Sequence, residues 1–397
     1  MKKTLLSVLI GLTISFCCCA QSTTFDKTKA VKDSKTKTFN SVSSATQMKN
    51  MGMGWNLGNT FDATYGVGLN TETGWGMPKT TKPMIDGLAK SGIKTIRIPV
   101  SWSNHIIDKK YTIDPEWMAR VKEVVDWAIA NDMYVILNSH HDCYEKPTAM
   151  PYGKGYYPNS TNYEESKRFL VNLWAQICLA FNNGYNEHLI FETMNEPRLK
   201  GTNHEWTTDK NCSECQDAMK TLNKLNQDVV DTIRKSGGNN AKRFIMVPGL
   251  RAALDAETKE YFVLPTDTIK DRIVLSVHMY DPYNFAMKTP GPKDFTPQIK
   301  SALAVNLKTL NDKFISKGIP VVIGEYGATN KGNDAARLEW FTFYIQRCKA
   351  YNIPAVLWDN GQATPDPKNG EKFGYYNRKT QTWYFPDILK AIIDNSK

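Results

Sequence analysis

The chain has 397 residues, of which 41% are hydrophobic and 23% charged, enough to bury the core of one large domain or two ordinary ones. This composition excludes a disordered chain, and eight cysteines are too few for a protein held together by a disulfide framework. The formal charge of +10 does not indicate nucleic-acid binding, because residues 1–50 hold eight Lys and two Asp, a net +6, and only +4 remains for the other 347 residues.

Residues 1–20 have the pattern of an export signal. Lys2 and Lys3 precede an apolar stretch, residues 5–16, that is too short to span a bilayer, and small residues follow it. Cleavage after Ala20 would release the protein, whereas processing at one of the cysteines at 17–19 would leave it lipid-anchored. We therefore expect a secreted or cell-surface protein without a membrane span.

Residues 21–45 are rich in Lys, Ser and Thr and show no apolar period, which predicts a linker. From residue 46 to residue 397 apolar runs alternate with helical stretches, so we assign this part to one domain. Eight apolar runs predict strands, at 51–57, 93–100, 133–139, 189–194, 243–247, 272–279, 319–323 and 353–357.

The segments between these runs predict helices. Asp114-Pro115 and Thr296-Pro297 are each a capping residue followed by proline at the first helical position, and apolar stripes at helical spacing follow both pairs. Residues 164–183 and 214–236 show the same spacing, and residues 386–396 predict a closing helix. Gly318 is placed to end the helix that begins at Pro297.

Short, bounded and nearly continuous apolar runs are typical of parallel strands that helices cover on the outside. Eight βα units in about 350 residues fit a (β/α)8 TIM barrel. The alternative is a doubly wound open sheet, which would normally have a Gly-rich phosphate turn after its first strand. The sequence NLGNT at 56–60 is not a GxGxxG motif, so we predict the α/β class with a single (β/α)8 barrel.

Polar side chains follow the predicted strands, where a barrel of this kind has its active site. Two of them, Glu196 after strand 4 and Glu325 on strand 7, should converge across the mouth of the barrel. Paired carboxylates can cleave a glycosidic bond, one as general acid and the other as nucleophile or base. The other strand-end residues are Trp55, Asn56, Asn59, Arg97, His140, His141, Asp142, Asn195, His278, Tyr280, Tyr326, Trp358, Asp359 and Asn360.

The motifs at these strand ends resemble those of glycoside hydrolase family 5, in its endo-β-1,4-glucanase (cellulase) branch. They are MGWNLGNTFDA (53–63), IRIPVSW (96–102), LNSHHD (137–142), FETMNEPR (191–198), SVHMYDPYNFA (276–286), VIGEYGA (322–328) and VLWDNG (356–361). The resemblance covers roughly residues 48–395. Seven motifs in the same order on the predicted strands make a specific match.

The resemblance implies a retaining double displacement, with Glu196 as acid/base and Glu325 as nucleophile. Asn195 would bind the 2-hydroxyl of the sugar at the cleavage subsite. The other implied roles are Arg97 and Tyr280 holding Glu325, His278 beside Glu196, His140 and His141 lining the −1 subsite, Trp358 as the floor under that sugar, and Asn59 and Trp55 as substrate or supporting residues.

Tryptophans fall into two groups. Trp75, Trp102 and Trp206 lie on the same side as Trp358 and are candidates for further sugar-stacking subsites. Those on predicted helices are expected to pack in the core, namely Trp117, Trp127, Trp174 and Trp340.

No cofactor or metal is predicted. His140, His141 and Asp142 match neither HExxH nor a two-His-one-carboxylate spacing. Cys212 and Cys215 predict a local disulfide or free thiols, or, less readily, half of a metal site, since no second CxxC would complete four zinc ligands.

The predicted activity is extracellular, endo-acting cleavage of β-1,4-glucosidic bonds in cellulose-type or related β-glucans, by a monomer. Residues 143–163 and 199–213 could widen the groove for xyloglucan, and mixed-linkage glucan or mannan stay open as substrates. The alternative from another class is a surface glycan-binding protein built on an inactive barrel. Retention of both carboxylates and of their expected partners argues against it.

Overall fold

The computed structural model describes residues 24–144, 153–366, 368 and 370–397, so the predicted export signal lies outside the described residues. Its centre is a closed barrel of eight parallel strands that pair in chain order, with β8 returning to β1. The strands are β1 (Met53–Asn56), β2 (Thr95–Ile98), β3 (Tyr134–Asn138), β4 (Leu189–Glu192), β5 (Ile245–Pro248), β6 (Ile273–His278), β7 (Val321–Tyr326) and β8 (Ala355–Leu357). The predicted (β/α)8 barrel is therefore confirmed, and each of the eight apolar runs overlaps one strand.

Helices surround the barrel, most of them in the connections between successive strands. They are α1 (Ser44–Met51), α2 (Lys82–Lys90), α3 (Pro115–Ala130), α4 (Tyr163–Ala180), α5 (Ser213–Lys235), α6 (Leu254–Glu257), α7 (Tyr283–Ala286), α8 (Pro297–Lys313), α9 (Asp334–Ala350) and α10 (Pro386–Ser396). A short antiparallel pair, β9 (Tyr376–Asn377) and β10 (Thr382–Trp383), lies between β8 and α10. The predicted caps are present, since the Asp114 side chain accepts from the Glu116 N–H and the Thr296 side chain from the Ile299 N–H.

Side chains alternate along each strand between two cores. On β3, Val135 and Leu137 face outward and pack with the helices, while Ile136 faces the barrel interior. The interior layer nearest the amino ends of the strands is apolar, and Met48 and Met51 of α1 close it from below. The polar layer that carries the site lies above it, toward the carboxyl ends.

Residues 24–43, most of the segment predicted as a linker, lie against the barrel. Phe25 is buried and its N–H donates to the Asn172 side chain at 3.0 Å. The Asp33 N–H donates to the Leu179 carbonyl at 2.7 Å, and the Asn40 N–H donates to a Glu187 carboxylate oxygen at 2.8 Å. The prediction of a free linker is wrong for this part, because its partners are distant in sequence and no local apolar period marks them.

Among the described residues, no helix combines the length and the apolar character needed to cross a bilayer.

Candidate active site

A polar layer fills the barrel interior directly beneath its mouth. The Arg97 side chain on β2 is fully buried there and donates from Nε to Glu192 Oε2 at 2.8 Å. Glu192 also accepts from Asn138 Nδ2 at 2.9 Å and from Ser276 Oγ at 2.5 Å. Glu192 is therefore a carboxylate that is paired inside the barrel.

Arg97 reaches from this layer to the residues at the mouth. Its Nη1 donates to Glu325 Oε1 at 2.8 Å, and its Nη2 donates to Asn195 Oδ1 at 2.7 Å. Tyr280 donates its hydroxyl to the other oxygen of Glu325, also at 2.8 Å. Burial alone would lower the pKa of Arg97, but the charges of Glu192 and Glu325 outweigh it and raise that pKa. A permanent cation therefore touches one oxygen of Glu325 while a neutral donor orients the other.

A β-bulge on β7 turns Glu325 into the barrel. Val277 of β6 pairs with Ile323, but the next residue, His278, pairs with Glu325, so Gly324 is an extra residue on β7. With regular alternation after Val322, which faces the interior, Glu325 would point toward the helices. A Cβ on Gly324 would lie 3.1 Å from His278 Nε2, so glycine is also what leaves room for the imidazole.

Glu196 shares its surroundings with His278 and Arg198. Its Oε1 lies 2.8 Å from His278 Nδ1, and Arg198 Nη1 lies 3.7 Å from its Oε2. Burial raises the pKa of Glu196, but the hydrogen bond and charge of His278 and the charge of Arg198 outweigh it and lower that pKa. The pKa of His278 is raised, since Glu325 and Glu196 outweigh its burial. The two shifts share one cause, the attraction between the Glu196 carboxylate and the His278 imidazole ring.

The two carboxylates face each other across a short gap. Ligating atoms of Glu196, His278 and Glu325 all lie within 4.8 Å of one another. Retaining glycosidases have carboxyl groups about 5–5.5 Å apart, whereas inverting enzymes leave about 6.5–9.5 Å for a water molecule. The spacing suits direct attack by one carboxylate on a sugar that the other protonates.

An aromatic and imidazole wall borders this gap. His140 and Trp358 have parallel rings with centroids 5.9 Å apart, and His141 lies 5.5 Å from Trp75. Burial lowers the pKa of both imidazoles, that of His141 to about 4, so both are neutral hydrogen-bonding groups at neutral pH. Gly58 accommodates the indole, because a Cβ there would lie 2.9 Å from Trp358 Cη2. The wall thus offers a flat apolar surface beside neutral polar groups.

Asn59 lies on the same rim, half-buried in a left-handed backbone conformation at φ +56°. Its N–H donates to Asp62 Oδ2 at 3.0 Å, so the local turn is held from below.

Two tryptophans at the strand ends, Trp55 and Trp102, are buried. Trp55 is buried with its indole N–H donated to Asp359 Oδ2 at 2.9 Å, so it supports the strand-8 loop and does not reach a substrate. Trp102 is fully buried and donates to the Asn138 carbonyl at 2.8 Å, which rules it out as a stacking subsite. Trp75 and Trp206 are accessible. The predicted core positions are confirmed for Trp117, Trp127, Trp174 and Trp340.

Several residues that shape the site were given no role in it by the sequence reasoning. Arg198 belongs to the FETMNEPR motif, but the sequence does not show that its guanidinium lies close to the Glu196 carboxylate. Asp142 accepts from the N–H groups of Trp102 and Ser103 and from Ser139 Oγ, so it ties together the loops after β2 and β3. Asp62 accepts two backbone N–H groups, and burial raises its pKa to about 6. The sequence signal for Asp62 and Asp142 was an acidic residue in a motif whose other residues are neutral.

The cysteines of the described residues are all free thiols, so Cys212 and Cys215 do not form the disulfide that was one alternative; the others are Cys143, Cys178 and Cys348.

Comparison with known proteins connects this geometry to one family. The family model described as cellulase, glycosyl hydrolase family 5, matches residues 26–364. The chain is 41% identical over 410 residues to endoglucanase A of Clostridium longisporum, which covers 100% of this chain and 73% of that relative. It is 42% identical over 341 residues to endoglucanase 1 of Ruminococcus albus, covering 85% of this chain and 78% of the relative.

Solved structures of glycoside hydrolase family 5 enzymes also superimpose on this chain. A mutant glycoside hydrolase 5 lichenase from Caldicellulosiruptor sp. F32, in complex with cellotetraose, superimposes with a TM-score of 0.84 and 42% identity, covering 92% of this chain and 98% of that one. A GH5-4 broad specificity endoglucanase from Ruminococcus champanellensis with bound cellotriose gives a TM-score of 0.82 and 40% identity, covering 90% and 100%.

Proposed function

The chain belongs to glycosyl hydrolase family 5, the cellulases, and we propose that this endoglucanase cleaves β-1,4-glucosidic bonds within a glucan chain by a double displacement that retains anomeric configuration. The observation that supports it most directly is the pair Glu196 and Glu325, whose carboxylates approach within 4.8 Å at the mouth of the barrel.

Glu325 is the proposed nucleophile. Arg97 donates to one of its oxygens and Tyr280 to the other, each at 2.8 Å, so the carboxylate is held in one orientation. These donors stabilise the anion before attack and again when Glu325 leaves the glycosyl-enzyme intermediate. The arrangement needs no reorganisation during the reaction, which is the general advantage of a preorganised polar site.

Glu196 is the proposed acid/base. It must carry a proton to protonate the leaving oxygen, and His278, whose Nδ1 lies 2.8 Å from Glu196 Oε1, is the group placed to supply it. Once the intermediate has formed, the same carboxylate accepts a proton from the attacking water. His278 is thus the partner with which Glu196 exchanges its proton between the two steps.

The sugar at the cleavage subsite would be positioned by Asn195 and Trp358. Because Asn195 Oδ1 accepts from Arg97 at 2.7 Å, its amide NH2 is left to donate to the 2-hydroxyl. Trp358 would stack under the ring, with His140 and His141 as neutral hydrogen-bonding groups on the same wall and Asn59 on the rim.

The substrate class is β-glucan, and cellulose-type chains are our first choice among its members. One structural neighbour is described as a lichenase and another as a broad specificity endoglucanase, so mixed-linkage glucan and xyloglucan are the closest competitors. Mannan and a non-catalytic glycan-binding role are the remaining alternatives from the sequence.

The decisive experiment assays the chain from residue 21 on carboxymethyl-cellulose, barley β-glucan, xyloglucan and mannan. Glu325→Ala should abolish hydrolysis of every substrate. Glu196→Ala should lose about 10²–10⁴-fold on glucan yet retain much of the rate on an aryl cellobioside whose leaving group needs no proton. NMR of the first product should show the β-anomer.

Glu164→Ala, an exposed carboxylate on α4, is the matched control and should behave as wild type. An α-anomeric first product would overturn the retaining mechanism. Binding of a glucan without hydrolysis by the wild-type protein would favour the glycan-binding alternative.

We also propose that the domain is exported, released after Ala20 or lipid-anchored through a cysteine at 17–19, on the strength of the sequence pattern of residues 1–20. Mass spectrometry of the mature amino-terminal peptide distinguishes the two, since release gives Gln21 as the first residue and anchoring gives an acylated cysteine. An intact Met1 would contradict export by either route.

A further inference from the structure

The insertion between β4 and α5 brings three metal-ligating side chains together. His204 lies in the insertion, Cys212 is the N-cap residue of α5, and Cys215 lies in the first turn of that helix. A ring nitrogen of His204 and the two sulfurs all lie within 4.8 Å of one another. We propose that this cluster, which we call the His-Cys-Cys site, binds a zinc ion or another thiophilic divalent cation.

The residue types and spacing are those of structural zinc sites, which combine a C-x2-C pair with histidine or further cysteine. Sequence alone offered only the C-x2-C pair. The fold supplies the third ligand, because the insertion turns back and lays His204 against the start of α5.

The geometry needs only a small contraction to hold an ion. Zinc lies about 2.3 Å from sulfur and about 2.0–2.1 Å from nitrogen, so tetrahedral ligand atoms are about 3.5–3.8 Å apart. Cys215 is buried while Cys212 and His204 are half-buried, so a fourth ligand from solvent can approach from the open side. Cys212 Sγ already accepts the Cys215 N–H at 3.1 Å, and N–H groups at a helix start favour a negatively charged sulfur.

A Cys212–Cys215 disulfide is the competing use of these residues. A disulfide would use only the two sulfurs. It would not explain why the His204 ring lies close to both of them.

An ion here would fix the loop that borders the proposed acid/base. Glu205, the residue after His204, accepts from Arg198 Nε at 3.1 Å and from the Gly201 N–H at 2.9 Å. Trp206 is 58% exposed, and its ring lies 4.4 Å from the Arg198 guanidinium carbon. The ion would therefore be structural, holding Arg198 and Trp206 in place beside Glu196.

Cobalt(II) is the spectroscopic probe for the site. The whole exported chain, purified with its thiols reduced and without oxygen, should bind one equivalent and show thiolate-to-cobalt charge-transfer absorption that Zn²⁺ abolishes by displacement. His204→Ala and Cys215→Ser should each lose this band. Ser213→Ala, which changes the same turn but no ligand, should keep it.

Two results would overturn the site. One is a charge-transfer band that His204→Ala leaves unchanged, or no band at all in the reduced protein. The other is peptide mapping that finds Cys212 and Cys215 disulfide-bonded in the secreted protein as it is isolated.

An effect of the bound ion on the substrate cleft rests on the proposed function. It is measured in a separate experiment. Zinc-loaded protein should have a higher Tm than metal-free protein and a lower KM for glucan, with a smaller change in kcat on an aryl cellobioside. An unchanged KM with bound zinc would overturn the link to the cleft but not the site. Absence of hydrolysis in both forms would count against the proposed function instead.

Discussion

At the residue scale, the buried guanidinium of Arg97 organises the site. It contacts Glu192 at 2.8 Å, Glu325 at 2.8 Å and Asn195 at 2.7 Å. Removing one partner of a buried ion pair costs about 3–5 kcal/mol because the remaining charge is left uncompensated. The sequence predicted Arg97, Glu196 and Glu325 because strand ends in a barrel converge. It could not predict what each group does to the others, since that depends on distances of a few ångströms.

Arg198 is the positioning residue whose influence can be isolated. It lies 3.7 Å from Glu196 Oε2 and contributes to the lowered pKa of that carboxyl group. Glutamine in its place should raise the pKa of Glu196, so the general acid keeps its proton to higher pH. The alkaline limb of the kcat/KM profile of Arg198→Gln should therefore move to higher pH.

Lys200→Gln removes the same charge two residues further along and is the control for Arg198→Gln. Its alkaline limb should stay close to that of the wild type. An Arg198→Gln profile that keeps the wild-type alkaline limb and only loses amplitude would mean that Arg198 acts on substrate binding alone.

At the element scale, local signals predicted regular structure well and irregular structure poorly. The helix starts at Pro115 and Pro297 were predicted because a capping side chain and proline mark them locally. The bulge at Gly324 was not, because one extra residue leaves an apolar strand pattern almost unchanged. The short helix α6 also has no apolar stripe long enough to detect.

Helix α6 ends in a buried carboxyl group whose ionisation opposes folding. Burial raises the pKa of Glu257 to about 8, with one oxygen accepting the Gly249 N–H at 3.1 Å. A raised folded-state pKa gives stability that is fully present below the unfolded-state value, about 4.3, and is lost as the pH rises toward 8. Glu257→Gln removes this loss.

The free energy of unfolding of Glu257→Gln should equal that of the wild type near pH 4 and exceed it by up to about 3 kcal/mol at pH 7. Denaturant titrations at both pH values measure the difference. Asp255→Asn, which neutralises an exposed carboxylate on the same helix, should show no comparable gain. A Glu257→Gln effect that is the same at both pH values would mean that packing, not ionisation, distinguishes the two side chains.

At the scale of the whole molecule, the number and spacing of apolar runs predicted the closed barrel, while the amino-terminal segment was predicted incorrectly. Closure follows from eight βα units that must each bury a strand. The segment from Thr24 to Ser43 has few apolar residues, and several of its contacts are with α4 and the loop before β4, more than a hundred positions away. Local composition holds no information about such contacts.

Removing this segment should therefore destabilise the barrel. A chain that begins at Ser43, which keeps the cap of α1, should unfold about 3 kcal/mol more easily than one that begins at Thr24. The estimate combines the burial of Phe25 with the loss of several backbone hydrogen bonds. Denaturant unfolding measures it.

Catalysis at low temperature should survive the truncation, because the segment packs on the outside of the barrel and makes none of the contacts described for Glu196 and Glu325. Equal stability of the two chains would show that the segment only rests on the surface.

The extra residue in β7 bears on any attempt to move this chemistry to another scaffold. An idealised eightfold barrel has strands without bulges, so a glutamate introduced at the position that corresponds to Glu325 would emerge among the surrounding helices. Copying side chains would therefore not transfer the activity. The irregular backbone at Gly324 would have to be transferred with them. The site therefore depends on a main-chain irregularity as much as on a set of side chains.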